Sequence, residues 1–305
     1  MARKRRRRKY SFKPRFYIIV SVFILLVFAS VKLIVSLISG IDTIAASNII
    51  KGTNNYVIAI DSGHDSQTDK GAVSASGVYE YLLNDGVSKA LQKELTDRGY
   101  SVIQTRELDS SKEMTLNERA LLVNQTWPDL LVSIHHNANT DTSVKGYSII
   151  YNSQKTDAYN GKYIKYKNKI FKIINEDENY IYFENGGREK RLNTKSQEGK
   201  YEIIDLSAEK LVQESINVSN DIYETMKLLD FVSPLSSQKE NVIIDLNLQI
   251  LRQTHCVGIC VECGFVTNES EVAQLVNEEH QKQTAEAIAD GIDKYFGIED
   301  NKESN

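Results

Sequence analysis

The chain has 305 residues, 41% of them apolar and 26% charged, with 16 Gly and 3 Pro; this is rich enough in core-formers to exclude wholesale disorder and collagen-like or Pro-rich architectures. Three cysteines are too few for a disulfide scaffold. Residues 1–15 carry nine Lys or Arg side chains and no acid, so the formal net charge of −4 conceals −13 on everything that follows. No basic face remains elsewhere to neutralise a phosphate backbone, which excludes nucleic acid as a partner.

The basic tail 1–15 leads into Phe16 to Ser39, FYIIVSVFILLVFASVKLIVSLIS, interrupted only by Lys32. At about 1.5 Å per residue this is roughly 36 Å of helix, enough to span a hydrocarbon core of about 30 Å. Lys32 is near the far end, where it can snorkel, and the cations hold the N-terminus inside. The expectation is a single-pass transmembrane anchor at 16–39 with everything from about residue 41 outside the cytoplasm. Ala45-Ala46-Ser47 offers a cleaved signal peptide as the alternative.

A polar linker, 40–55, precedes a catalytic-sized domain at 56–298. Tyr56 to Asp61 reads as a buried strand, Glu80 to Arg98 as a helix, and Tyr100 to Thr105 as a second strand. Thr115 and Glu118 form a capping box that opens a helix to about Gln125. Asp129 to Ile134 and Gly146 to Tyr151 are further strands. Ser207 to Leu229 is a helix, Leu246 to Arg252 and Val257 to Glu262 are strands, and Glu269 to Phe296 is one or two helices. Alternation of this kind predicts an α/β fold, a twisted and mostly parallel sheet with helices on both faces. Between the two halves, 152–204 changes texture to apolar–charged alternation around Asn-Glu-Asp and Gly-Gly turns, which predicts a β-hairpin-rich insertion. Eight of the 16 tyrosines lie between Tyr147 and Tyr201, so a surface decoration competes with a groove wall or flap over the site. Residues 299–305 read as a disordered tail.

In an open α/β sheet, ligands collect at the carboxyl ends of strands. His64 follows the first strand, Glu80 opens the next helix, His135 ends DLLVSI, and Glu262 ends GICVE. Two imidazoles and a carboxylate suit Zn2+, and three protein ligands leave a fourth position open, as in a catalytic site. The remaining carboxylate is then available as a proton acceptor. Taken singly, each residue has a plainer explanation, such as Glu80 answering the helix dipole. Strand pleating allows only one of His135 and His136 to reach the site.

These residues carry a resemblance. IDSGHDSQTDKGA, then Glu80, LNERALLVN with DLLVSIHHNAN, and VECGFVTNESE resemble the zinc-dependent N-acetylmuramoyl-L-alanine amidases of the amidase_3 type, over roughly 57–151 and 208–296. The resemblance implies that His64, Glu80 and His135 are metal ligands, that Glu262 is the catalytic carboxylate, and that the SIHxNA register selects His135 over His136. It also implies a substrate, peptidoglycan, cut between N-acetylmuramic acid and the L-alanine of the stem peptide, and leaves open whether a protein activator exists. The GHDS turn departs from the family's GHGG, and the run from His64 to Gly71 is one residue longer. The insertion lies outside the family core. Two alternatives share these residues: a catalytically silent wall-binding module, and a zinc peptidase or deacetylase acting on another bond.

Cys256, Cys260 and Cys263 have the C-x3-C-x2-C spacing of an iron–sulfur site. On an extended strand Cys256 and Cys260 stand about 13 Å apart, too far to share a cluster or a disulfide, so they read as small apolar side chains. His255 and His280 read as a strand-entry turn residue and a helix-surface residue.

Overall fold

Continuous apolar runs with a β-branched bias pair at the centre of the molecule, and their order along the chain is interleaved with helices. The computed structural model describes residues 49–108, 112–155, 161–167 and 169–298. The basic tail 1–15, the apolar span 16–39 and the tail 299–305 lie outside the described residues; among those described, no helix is long and apolar enough to cross a membrane.

In chain order the main sheet and its helices are β1 (Ile49–Ile50), β2 (Val57–Ser62), α1 (Glu80–Asp97), β3 (Ser101–Gln104), α2 (Leu116–Thr126), β4 (Leu130–Asn137) and β5 (Ser148–Tyr151). An inserted sheet follows: β6 (Lys162–Tyr166), β7 (Lys169–Glu176), β8 (Tyr180–Asn185), β9 (Arg188–Asn193) and β10 (Tyr201–Asp205). The main fold resumes with α3 (Ala208–Met226), β11 (Ile243–Asp245), α4 (Gln249–Gln253), β12 (Val257–Phe265), α5 (Glu269–Leu275) and α6 (Glu278–Phe296).

The seven-stranded sheet has the order β1-β3-β2-β4-β12-β5-β11, and β3, β2, β4 and β12 run parallel to one another. Val87, Leu91 and Leu95 of α1, Val218 and Ile222 of α3, and Ile288 and Ile292 of α6 bury one face over Ile58, Ile60, Val132 and Ile259. Ala120 and Val123 of α2 and Ile250 and Leu251 of α4 cover the lower part of the other face, over Ala59, Leu131, Ile150 and Cys260. Two-sided cover is what lets these strands be apolar throughout. The capping box forms as expected: Thr115 Oγ1 accepts from Glu118 N, and Glu118 Oε2 accepts from Thr115 N at 2.8 Å. Glu269–Phe296 is split in two because Asn277 caps α6, its Oδ1 accepting from the amides of Glu279 and His280.

Two expectations are corrected. The strand expected at Leu246 to Arg252 is absent: β11 lies just before it and Gln249–Gln253 is helical. The Leu-Asn-Leu-Gln-Ile alternation mimics a strand, yet Leu246 is 45% exposed whereas adjacent Ile250 and Leu251 are both buried against the sheet. Within the 40–55 linker, Ile49–Ile50 pairs with β3 as an edge strand.

The insertion is β-rich as expected, and its position decides between the readings left open for it. β5 runs antiparallel to β12, so the chain leaves it at the amino ends of the parallel strands, opposite the ends that carry His135 and Glu262. The inserted sheet, of order β10-β6-β7-β8-β9 with every neighbour antiparallel, encloses its own apolar core of Ile164, Ile181, Phe183 and Leu192. Its Lys165, Ile170, Ile204 and Leu206 face Val57, Asp129 and Val257, at the amino ends of the strands, across a cavity of about 390 Å³. The flap and groove-wall readings are therefore excluded by position.

Candidate metal centre

The turn after β2 is the first piece of the site. His64 sits at φ 60°, a left-handed conformation that a non-glycine residue adopts only when its surroundings impose it. Arg119, buried on α2, imposes it: Nη1 donates to the carbonyl of Ser62 at 2.7 Å, Nη2 to the carbonyl of His64 at 2.8 Å, and Nε to that of Met114 at 3.0 Å. The same guanidinium lies 3.3 Å from Asp61 Oδ1, and Asp61 also accepts from Thr105 Oγ1 and Ser133 Oγ. Burial alone would raise the Asp61 pKa; Arg119 and the two hydroxyls outweigh it and hold the carboxyl below its usual value. A second buried arginine, Arg106, donates to Ser62 O at 3.0 Å and pairs with Asp85.

Glu80 is the first residue of α1, and its carboxylate is aimed by several contacts, among them the amide of His136, which donates to Oε1 at 3.3 Å. Its Oε1 lies 3.1 Å from His64 Nε2 and 3.0 Å from His135 Nδ1, while Oε2 accepts from the amide of Ala72 at 3.0 Å. The ligand atoms of His64, Glu80 and His135 all fall within 4.8 Å of one another. Round a tetrahedral ion with bonds of about 2.0–2.1 Å, neighbouring ligand atoms stand about 3.3 Å apart, so the spacing and the mixed N/O donor set fit Zn2+. His64 Nδ1 lies at ion-pair distance, 2.9 Å, from Oδ2 of the exposed Asp69, without hydrogen-bond geometry.

Two glycines are required by this crowding. A Cβ on Gly63 would lie 2.2 Å from His135 Nε2. Gly71 has φ 68°, and a Cβ there would lie 2.5 Å from Glu80 Oε2 and 2.7 Å from His64 Cδ2.

Electrostatics separate the groups. Burial opposes charge on Glu80, but hydrogen bonds and charges from His135 and His64 prevail and hold its carboxyl far below the usual range. Burial also opposes charge on His64, yet Glu80 and Asp69 push its pKa up to about 8. His135 is raised as well, against burial, by Glu80 and Glu262. His136 points to the α1 side, where Nδ1 donates to Asn84 Oδ1 at 2.7 Å and burial pushes its pKa down to about 3. It is a core histidine, as the pleat requires.

Glu262 stands in register with His135, on the neighbouring parallel strand. Burial pushes its pKa up to about 7, with His135 pulling the other way, which poises the carboxyl for proton exchange near neutrality. Just beyond it β12 carries a bulge before Phe265, and buried Glu271 secures this end by accepting from Phe265 N and Gly146 N, each at 2.8 Å. The other candidates lie elsewhere. His255 lines the cavity at the opposite end of the sheet, His280 stacks on Phe231 at 4.2 Å, and all three cysteines are buried free thiols whose pKa burial raises.

Sequence reading missed Asp61, Asp69, Arg106, Arg119 and Glu271. The available signal was charge in apolar surroundings: an acid inside YVIAID and an arginine inside LNERALLVN.

The chain has counterparts among known proteins. The chain is 22% identical to the N-acetylmuramoyl-L-alanine amidase AmiA of Escherichia coli K12, over 84% of this chain and 81% of that one. The crystal structure of an N-acetylmuramoyl-L-alanine amidase from Clostridium difficile 630 superposes with a TM-score of 0.56 at 24% identity, covering 81% of this chain and 100% of that one. The CwlD amidase of Clostridioides difficile, solved in complex with the GerS lipoprotein, does so with a TM-score of 0.55 at 22% identity, covering 80% and 100%. These two likenesses establish the fold. The Amidase_3 family model matches residues 58–294, taking in the whole of the cluster and Glu262, and on that match the chain belongs to the N-acetylmuramoyl-L-alanine amidase family.

Proposed function

We propose that this chain is a zinc-dependent peptidoglycan amidase that hydrolyses the bond between N-acetylmuramic acid and the L-alanine of the stem peptide, working outside the cytoplasm on a membrane anchor. The observation that carries the reading is the convergence of His64, Glu80 and His135 within 4.8 Å, with Glu262 on the adjoining strand. His64, Glu80 and His135 would hold the ion, which when bound supplies Lewis-acid polarisation of the scissile carbonyl and a lowered water pKa.

The chain's own residues then divide the work. Asp69 lies beside His64, Ala72 N aims Glu80, and the two histidines hold Glu80 ionised. Glu262, a carboxylate in register with His135 on the neighbouring strand, accepts a proton from the attacking water and returns it to the departing alanine nitrogen, so one carboxylate serves as base and then acid. A complete set of these groups favours an active hydrolase over a silent wall-binding module. Digestion of purified peptidoglycan followed by mass spectrometry of the products tests the bond: free stem peptides beginning at L-alanine are expected, whereas cuts within the peptide or loss of acetyl groups alone would overturn the assignment.

The cytoplasmic tail 1–15, anchor 16–39 and linker 40–55 rest on the charge asymmetry and apolar length of the sequence. Protease added to spheroplasts should then remove the domain at 56–298, and its protection alongside a cytoplasmic control would reverse the orientation.

A further inference from the structure

The rung of the sheet that carries Glu262 extends one strand further than the mechanism has used. Glu262 pairs with His135 of β4 on one side and with Ser148 of β5 on the other. Registered residues on adjacent strands share a face, with Cβ atoms about 4.5–5.5 Å apart across an antiparallel pair. The packing agrees: Ile150, two residues beyond Ser148, shares an apolar cluster with Cys260 and Leu131, whereas Tyr147 and Ile149 belong to the cluster on the opposite face. His135, Glu262 and Ser148 therefore form one row on the face where the site opens.

Ser148 is 1% exposed, and neither its Oγ nor Glu262 Oε2 has a hydrogen-bond partner among the described residues. A buried hydroxyl in the middle of a sheet ordinarily finds a backbone or side-chain acceptor, and a buried carboxylate oxygen ordinarily finds a donor. Here the two unmet groups stand on the same rung, one able to donate and the other able only to accept when ionised. A serine hydroxyl moves among three staggered positions by rotation about a single bond, so little stands between this arrangement and a direct contact.

We propose that Ser148 is a positioning residue for Glu262: its hydroxyl donates to Oε2 and fixes the carboxylate with its other oxygen directed at the reacting water. Resting as it does on Glu262 being the proton acceptor, the inference adds what holds that acceptor in place. Free rotation of a base away from its attack geometry costs about 10² in rate for a displacement near 1 Å, and a hydrogen bond on the non-reacting oxygen is the simplest restraint.

The test uses the full-length chain loaded with zinc and soluble peptidoglycan fragments as substrate. Ser148→Ala should keep zinc near one per chain and KM near wild type while kcat falls about 10- to 100-fold. Glu262→Gln alone should abolish most turnover, and adding Ser148→Ala to it should produce no further loss, because the carboxylate that Ser148 restrains is already gone. Wild-type kcat in Ser148→Ala overturns the inference, and so does an equal loss when Ser148→Ala is added to Glu262→Gln, which would show Ser148 acting independently of Glu262. Lost zinc in Ser148→Ala would overturn it too, by placing the serine's effect on the metal site. Wild-type turnover in Glu262→Gln alone would instead remove Glu262 from the mechanism, a failure visible without the serine variant, and the inference would fall with it.

Discussion

Arg119 Nη2 donates to the backbone carbonyl of His64 across 2.8 Å, so a side chain on α2 fixes the backbone conformation of a candidate metal ligand on the turn after β2. The left-handed His64 costs about 1 kcal/mol on its own, and the guanidinium offsets it while also neutralising buried Asp61. Arg119→Ala should therefore lose both functions. Removing one partner of a buried pair costs about 3–5 kcal/mol, and a relaxed turn should lower zinc occupancy. Arg119→Lys keeps the charge but lacks the planar fork, so it should recover stability better than zinc binding. Urea unfolding and zinc stoichiometry on the same preparations check this; full zinc and full stability in Arg119→Ala would contradict it.

If the cluster holds zinc as proposed, His64→Ala, Glu80→Ala and His135→Ala should each lower zinc occupancy, since each removes one of its three candidate ligands, whereas His136→Ala should not. The structure sharpens the contrast, because His136 is turned to Asn84 and lies on the α1 side of β4. Metal analysis across the four variants decides it, and a loss in His136→Ala equal to that in His135→Ala would overturn the register.

His136 also predicts how the domain responds to acid. Its pKa falls from an ordinary 6.5 to about 3 in the folded chain because burial disfavours the charged ring. The unfolded chain thus takes up a proton below about 6.5 that the folded chain refuses until about 3. The stabilisation is fully present above pH 6.5 and is lost as the pH falls toward 3, with a slope of up to about 1.4 kcal/mol per pH unit. Comparing chemical unfolding at pH 7 and pH 5, His136→Asn should lose less stability than wild type over this interval. An identical pH slope in the two proteins would show that the ring is solvated or charged.

How much of this was legible in the sequence follows from what each signal measures. β2, α1, β4 and β12 were readable because buried parallel strands are apolar throughout and α1 keeps its 3.6-residue spacing over 18 residues. The four candidate residues stood out because they lie near the carboxyl edge of the sheet: His64 in the turn after β2, Glu80 at the start of α1, and His135 and Glu262 toward the ends of β4 and β12. β11 was not, since three residues, Ile243–Asp245, are too few to show a period, and five-residue α4 is too short to display a helical one. The direction of β5 was equally hidden: nothing in SIIY distinguishes a parallel strand from an antiparallel one, yet that direction sends the insertion away from the site. Arg119 and Arg106 were missed because an isolated arginine on a helix or loop looks like a solvated charge until its carbonyl partners are known.

The position of the insertion yields the last prediction. Its two ends leave side by side, Lys162 pairing with Asp205 and Leu206 N donating to Gly161 O at 2.8 Å, so residues 162–205 can be replaced by a short Gly-Ser link without stretching the main fold. Lys155 stays, with its Nζ on the carbonyls of Leu251 and Cys256. Because the inserted sheet sits at the amino ends of the strands, zinc content should remain near one per chain, and hydrolysis of small soluble fragments should be unchanged within about twofold. Stability should fall, since Tyr163, Ile170 and Ile204 pack against the main core and Tyr163 meets Trp127 at 5.5 Å. Burying one large apolar side chain contributes about 1.5–3 kcal/mol, so the shortened domain should lose at least that much and melt several degrees lower. Zinc content, fragment hydrolysis and thermal unfolding on one preparation separate the outcomes. Loss of zinc at unchanged stability would mean that the insertion acts on the site from a distance, and complete unfolding would mean that it belongs to the folding core.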